Sequence, residues 1–350
     1  SHINPKISKE QRELLINILT GIYRKNEIKC VVVDLDNTMW EGVFLESKLN
    51  KCKLNHFRTN VLRQLYRQGI VLCVCSKNNS DEKTLEELKA ILQSVSKSIL
   101  IYKVNWNPKS ENLREIAKEL NISPKNIAFF DDQAFERDEV KTSFPEINVF
   151  TDNDLDTILL NGRFNVPIIS KESTKRTEQY RLNFKRNEEE NKNSSNNGDK
   201  YIEYLKTLNF EISTNHSVKT EDEYIRAFEL IQRTNQQNIT TKRLSLDQIK
   251  EFNKKHEIVL FSMSDKFGEY GVICCILLKK VNNSYQIFEF AMSCRAMGKK
   301  IEEALFTYLN NYAFLHNITN ITCNYVENEK NKSFMQKFID FGYVKQNNEI

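Results

Sequence analysis

Several things are missing or scarce in this chain of 350 residues, and each absence closes off a class of function. Strong charge of one sign is missing. The 51 Lys and Arg against 47 Asp and Glu leave a net charge of +4, so there is no basic field of the kind that nucleic-acid binders carry. Long apolar runs are missing as well. No stretch approaches the roughly 18 apolar residues of a membrane-spanning helix, and no charged-then-apolar leader opens the sequence. The expectation is a cytoplasmic protein with no membrane and no nucleic acid among its partners. Histidine is scarce, with five residues, which argues against a catalytic or metal cluster built on imidazole. The eight cysteines lack the paired spacing of a zinc site and read as reduced thiols. Cys73-Val74-Cys75 puts two of them on one strand face, where they serve as small apolar fillers.

What is present is a regular alternation of elements in a length that suits two domains. Residues 8–24 carry Leu14, Leu15, Ile18, Leu19 and Ile22 at helical spacing. An apolar strand at residues 30–33 follows, then a helix at 55–68 stopped by Gly69, and a second strand at 70–75. A helix at 80–95 opens on Ser80-Asp81, a capping pair. Strands are expected at 99–102, 126–130 and 147–150, with a helix at 109–120 between the first two. Continuously apolar strands alternating with helices predict a parallel sheet covered on both faces. A helix at 171–184 could lead out of this domain. Residues 185–200 (KRNEEENKNSSNNGDK) are polar and read as a linker or mobile loop. Beyond it, helices at 201–208, 221–233, 299–312 and 330–341 mix with strands at 210–212, 258–263, 270–280, 285–292 and 321–325, an α+β pattern. The expected division is an N-terminal helix at 1–27, a first domain at 28–170, a connecting helix and linker at 171–200, and a second domain at 201–350.

Polar residues cluster where strands of the first domain end: Asp34 and Asp36, then Ser76, then Asp131 and Asp132. Ligands of open α/β sheets bind at that edge. Two carboxylates one residue apart repel each other, so something must offset them. Joined by Asp131 or Asp132 from a neighbouring strand, they form an oxygen-rich site suited to Mg²⁺. A cation there would neutralise a phosphate so that a carboxylate can attack phosphorus. The Ser76 hydroxyl and Lys109 ammonium would hold the phosphate oxygens.

In order and spacing, Asp34-Leu35-Asp36-Asn37-Thr38, Ser76, Lys109 and Asp131-Asp132 resemble the four motifs of the haloacid dehalogenase (HAD) superfamily. The resemblance implies Asp34 as the nucleophile that forms an aspartyl-phosphate. It implies Asp36 as the group that protonates the leaving oxygen and later activates water, and Ser76 and Lys109 as phosphoryl binders. Asp131 and Asp132 would complete a Mg²⁺ site with Asp34 and the Asp36 carbonyl. No long insertion separates the motifs, so no large cap domain is expected.

The likeness narrows further. Asp34 to Trp40, Asn105-Trp106-Asn107-Pro108-Lys109-Ser110-Glu111-Asn112-Leu113 and Phe129-Phe130-Asp131-Asp132 with Glu136-Arg137 resemble the FkbH-like subgroup. So do residues 231–238, 261–271 and 293–302, and the likeness covers about residues 25–345. The fold implied is α/β: a HAD-type Rossmann-like parallel sheet with no large cap, followed by an α+β domain like the GNAT acyltransferases. The activity implied converts 1,3-bisphosphoglycerate to a glyceryl thioester and loads it on an acyl carrier protein, with removal of the 3-phosphate. A thiolate attacking an acyl phosphate is chemically sound. Arg295-x-x-Gly298, opening a helix after a strand, would hold the phosphopantetheine arm of the carrier by backbone N–H groups.

This sequence also departs from the subgroup. Lys300 stands where a second Gly is usual, Glu41 and the stretch Phe44-Leu45-Glu46-Ser47 replace a glycine-richer segment, and Gln133-Ala134 replaces Asn-Pro. Cys294 is the first candidate for the acyl-carrying thiol. Cys75 is another, and so is Cys52, whose neighbours Lys51 and Lys53 would lower its pKa if it were exposed. Two other readings stay open: a plain phosphatase of a small phosphorylated substrate, and a non-catalytic carrier-protein binding module. The presence of Asp34 and Asp36 argues against the latter.

Overall fold

The computed structural model describes residues 28–47, 52–164, 166, 169–193, 198–234 and 236–344. The chain divides into two compact units. One runs to Ile169 and includes Ser173–Arg181; the other comprises Ser170–Glu172 and the chain from Leu182 on. The helix expected at 8–24 lies outside the described residues.

The first unit is a five-stranded sheet in the order β5-β4-β1-β6-β7, with every pair parallel. Its strands are β1 (Cys30–Val33), β4 (Val71–Ser76), β5 (Ile99–Val104), β6 (Ile127–Asp131) and β7 (Asn148–Thr151). All residues of β1, β4 and β6 are buried, as expected where helices cover both faces. Register matters more here than composition. Val33 pairs with Val74 on one side and with Phe130 on the other. Asp34 therefore stands level with Cys75 and Asp131, and Ser76 is one residue beyond. Between β1 and β4 the described residues hold only a small ribbon, β2 (Trp40–Glu41) with β3 (Lys53–Leu54), the short helix Phe44–Ser47 and the helix His56–Arg67. Helices start where capping side chains permit: Asn55 accepts from the Arg58 amide at 3.0 Å, and Asp81 from the Thr84 amide at 2.9 Å.

The second unit is a sheet in the order β12-β11-β10-β9-β8. Here β8 (Glu211–Asn215), β9 (Glu257–Asp265), β10 (Gly268–Val281) and β11 (Ser284–Met292) are antiparallel neighbours, and β12 (Asn320–Cys323) runs parallel to β11. The period of two along β9 sends Val259, Phe261 and Met263 to one core and Ile258 and Leu260 to the other. The helices Ile301–Leu315 and Lys332–Asp340 close the first core, and Glu221–Arg233 and Leu246–Asn253 close the second. The chain is thus α/β overall, with a Rossmann-like parallel sheet in the first unit and an α+β arrangement in the second, as the sequence pattern suggests.

Three differences from the sequence reading have physical reasons. The stretch read as a linker is helical for much of its length, since Arg176–Asn193 is one helix and Gly198–Thr207 another. The former lacks an apolar stripe, so periodicity is silent about it. Polar contacts hold it instead: Arg186 forks onto Asp265 at 2.6 and 2.8 Å and lies over the Tyr270 ring at 3.9 Å. The sequence pattern gives no helix at Leu246–Asn253, although Ser245 and Gln248 form a capping box at its start. Nor does it give one at Ala134–Ser143, whose only buried side chains are Glu136 and Val140.

Gly69 ends the helix His56–Arg67 at φ +75°, and a Cβ there would lie 2.5 Å from the Ser173 carbonyl oxygen. Gly69→Ala is expected to cost about 2 kcal/mol or more, through the left-handed backbone and the backbone clash together. Urea unfolding of the variant beside the wild type measures this.

Candidate active site

The carboxyl edge of the first unit's sheet collects the six acidic, hydroxyl and ammonium residues that the sequence singles out. Asp34 follows β1, Ser76 ends β4, Asp131 ends β6, and Lys109 opens the helix Lys109–Leu120. Asp34, Ser76, Lys109 and Asp131 are 4, 2, 3 and 0% exposed. Little water screens their charges, so pairing decides whether the site is tolerable. Lys109 Nζ donates to Asp34 Oδ1 at 2.7 Å and also donates to the Asp131 carboxylate. Burial works to lower the Lys109 pKa, but Asp34 and Asp131 outweigh it and hold the ammonium above its ordinary range. Burial raises Asp34 against the pull of Lys109. Burial and then the Asp34 charge push Asp131 up to about 6.

Backbone geometry after β6 is held by side chains. Asp131 Oδ1 accepts from the Gln133 amide at 2.8 Å. Arg137 Nη1 donates to the carbonyls of Asp131 at 2.8 Å and Asp132 at 2.7 Å. Asp34, Asp131 and Asp132 each present an oxygen within 4.8 Å of the others. Asp132 Oδ1 is buried and has no hydrogen-bond partner, the condition a cation would relieve. A cluster of hard oxygens with one orphaned carboxylate oxygen fits Mg²⁺.

Asp36 is half-buried and turned into a closed loop. Its Oδ1 accepts from Trp40 Nε1 at 2.9 Å and from the Phe44 amide at 3.0 Å, and its Oδ2 from Asn78 Nδ2 at 3.4 Å. Burial raises its pKa against these donors. Arg58 pins the same loop, donating to the Thr38 carbonyl at 2.8 Å while pairing with Asp156 at 2.9 Å and Asp152 at 3.1 Å. Asn78, Arg58 and the Trp40 indole escaped the sequence reading as site residues. Two signals were available: Asn78 lies two residues past Ser76 in the same strand-end loop, and Trp40 closes the 34–40 motif.

The remaining candidates belong to the second unit. After β11 a 3-10 turn, Cys294–Ala296, leads to Gly298 at φ +76° and Lys300 at φ +57°, and then to the helix Ile301–Leu315. Lys300 therefore adopts the left-handed conformation that glycine would take without strain. Arg295 Nε donates to Ser293 Oγ at 3.3 Å, and the Gly298 carbonyl accepts from the Tyr201 hydroxyl at 2.6 Å. The first helical turn carries a buried carboxylate, Glu302, which accepts from Gln237 Nε2 at 2.7 Å. The Cys294 side chain lies outside the described residues.

Burial works against the thiolate form of the other two candidate thiols. Cys75 is buried and its thiol is pushed up to about 12 by burial. Cys52 corrects the expectation drawn from its lysine neighbours. Burial and then the Asp36 charge raise its pKa, and Lys53 turns to Glu41 at 3.9 Å.

No family model matches the sequence, and no curated protein matches it. Among solved structures, the N-terminal part of a Bacteroides fragilis protein containing a phosphatase domain, complexed with Mg, is similar at 28% identity. That match covers 43% of each chain, with a TM-score of 0.36, so this chain spans less than half the length of that relative. A HAD family enzyme from Bacteroides thetaiotaomicron, in complex with magnesium and inorganic phosphate, matches at 13% identity over 35% of this chain and 93% of its own, TM-score 0.29. A Bacillus subtilis acetyltransferase in complex with CoA matches at 12% identity over 39% of this chain and 78% of its own, TM-score 0.30. No described helix is long and apolar enough to cross a membrane.

Mg²⁺ added to metal-free protein is expected to raise Tm at about pH 7.5. The raised Asp131 pKa lets protons compete with the cation, so the gain shrinks as pH falls through about 6. Asp132→Asn is expected to remove most of the shift, and Asp138→Asn, on an exposed side chain, to keep it. Differential scanning fluorimetry across pH reads both.

Proposed function

We propose that the first unit is a Mg²⁺-dependent phosphatase that works through an aspartyl-phosphate on Asp34. The observation that carries this reading is Lys109, buried between the carboxylates of Asp34 and Asp131 while Asp132 keeps an unpartnered oxygen. Asp34, Asp131 and Asp132, with the Asp36 carbonyl, would hold the Mg²⁺, which when bound offsets the negative charge of the incoming phosphate.

The chain's own groups divide the rest of the work. Lys109 and the Ser76 hydroxyl hold the non-bridging phosphate oxygens as charge builds on them. An Asp34 oxygen attacks phosphorus, and the bond from phosphorus to the leaving oxygen breaks. That oxygen keeps the electron pair and takes a proton from Asp36. In the second half, Asp36 removes a proton from water as the water oxygen attacks phosphorus. The bond to Asp34 breaks, the carboxylate is restored and inorganic phosphate leaves.

The finer reading follows the family resemblance. The substrate would be 1,3-bisphosphoglycerate, with the glyceryl group passed through an enzyme thioester to the phosphopantetheine thiol of an acyl carrier protein. Arg295 and Gly298 in the second unit would receive that arm, and Cys294 remains the candidate thiol. A plain phosphatase, with a second unit that only selects substrate, is favoured by one observation. Cys30, Cys75, Cys274 and Cys275 are all fully buried, and burial raises their pKa values, which suppresses the thiolate that acyl transfer needs.

Asp34→Asn is expected to lower phosphate release at least about 10³-fold, as loss of a covalent nucleophile does; comparable release by the purified variant contradicts the mechanism. Mass spectrometry of a carrier protein incubated with enzyme and 1,3-bisphosphoglycerate separates the finer readings. A glyceryl mass gain supports acyl loading, and phosphate release without that gain leaves the plain phosphatase.

A further inference from the structure

The two oxygens of Asp36 are held very differently. Oδ1 takes two donors, the Trp40 indole at 2.9 Å and the Phe44 amide at 3.0 Å. A carboxylate oxygen offers two lone pairs, so Oδ1 is saturated. Oδ2 has one longer contact, from Asn78 Nδ2 at 3.4 Å. An indole N–H only donates, so Trp40 cannot turn to accept a proton from Oδ1. A proton on Oδ1 would face two N–H groups, whereas a proton on Oδ2 would not.

The donor on Oδ1 is rigid. Trp40 is 1% exposed and packs in the main core of this unit with Leu35, Met39 and Phe44. Its backbone pairs with Leu54 in the ribbon and bridges to Asp36 itself. The loop that brings the Phe44 amide round is closed by Asn37, at φ +54°, whose Oδ1 accepts from the Gly42 amide at 2.9 Å. Arg58 then ties Thr38 to the acidic turn after β7. Both donors to Oδ1 are thus fixed by the fold, one on a buried ring and one on the backbone of a closed loop.

We propose that Trp40, with the Phe44 amide, is the positioning device for Asp36: it anchors Oδ1 so that Oδ2 alone exchanges the proton with the reacting oxygens. This deepens the phosphatase reading and rests on it. In the first half-reaction the bond from phosphorus to the leaving oxygen breaks, the oxygen keeps the pair, and the proton on Oδ2 moves to it, leaving Asp36 ionised. In the second, the proton of the attacking water returns to Oδ2. The device matters most when the leaving group is a poor one. Alkyl phosphate monoesters are therefore the substrate class it serves, because an alkoxide must be protonated as it departs, whereas a p-nitrophenolate leaves unaided.

A tryptophan that merely found a partner for its buried N–H would show no such selectivity, and this separates the two roles. The experiment compares kcat/KM for p-nitrophenyl phosphate with kcat/KM for ethyl phosphate, in wild-type enzyme and in Trp40→Phe. The variant keeps most of the apolar volume and removes the N–H. The ratio of aryl to alkyl ester is expected to rise about tenfold or more, since a mispositioned acid loses a large part of its contribution. Asp36→Asn is expected to raise the ratio as well, and adding Trp40→Phe to it to change the ratio no further. If Trp40→Phe does not fold, benzothienylalanine at position 40 keeps the fused ring without the N–H and makes the same comparison. A fall by the same factor for both esters, or no change in the ratio, overturns the positioning role while the phosphatase reading stands. Absence of phosphate release from both esters by the wild type overturns that reading and the inference with it.

Discussion

The first unit depends on one buried ammonium between two buried carboxylates. A parallel sheet in this register cannot avoid bringing Asp34 and Asp131 to the same level at its edge, because Val33 pairs with both Val74 and Phe130. With 4 and 0% exposure, two carboxylates at that spacing would repel strongly and lack hydration. Lys109 reaches both. Its charge is worth more there than at a surface, since neither water nor salt screens it. Removing it would leave two uncompensated buried acids, a loss of roughly 3–5 kcal/mol by the measure of broken buried pairs. The same charge, already in place and desolvated, suits a phosphate that arrives with its own negative oxygens. Stability, and the proposed phosphoryl chemistry with it, thus rest on one residue at the start of one helix.

Around that pair the structure spends its polar contacts on orientation. Arg137 holds the carbonyls at the end of β6. Arg58 holds the loop after β1, and the Trp40 indole holds one oxygen of Asp36. These groups lie outside the carboxylate cluster, and they set where its oxygens point. The second unit has no comparable cluster among its described residues. Its polar features at the end of β11 are a left-handed Lys300, a buried Glu302 paired with Gln237, and an Arg295 turned to Ser293.

Much of this was legible in the sequence. Continuously apolar strands ending in Asp, Ser and Asp-Asp announce a parallel sheet with a polar edge. The spacing of Asp34, Ser76, Lys109 and Asp131 brings them to that edge because Asp34 directly follows its strand, Ser76 and Asp131 end theirs, and Lys109 opens its helix. The helices Lys109–Leu120 and Glu221–Arg233 have the bounds their periodicity suggests. What escaped lacked an apolar signal. Beyond residue 184 the helix Arg176–Asn193 has no apolar residue, and specific partners such as Asp265 hold it. Asn78 belongs to no motif, and Trp40 enters the sequence reading only as the end of the 34–40 motif; both acquire a role through proximity to Asp36, which only tertiary structure supplies. Cys52 shows the opposite failure. Its sequence neighbours are lysines, but its spatial neighbour is Asp36, and proximity in space sets the direction of its pKa.

The central claim is that phosphate passes through a covalent bond to Asp34. Borohydride reduces an aspartyl-phosphate to homoserine, so quenching the enzyme with borohydride during turnover of a phosphate ester and mapping its peptides by mass spectrometry tests the claim directly. Homoserine is expected at position 34, dependent on added Mg²⁺ and absent without substrate. Sustained phosphate release with no modification at position 34, or with the modification on another carboxylate, would contradict it.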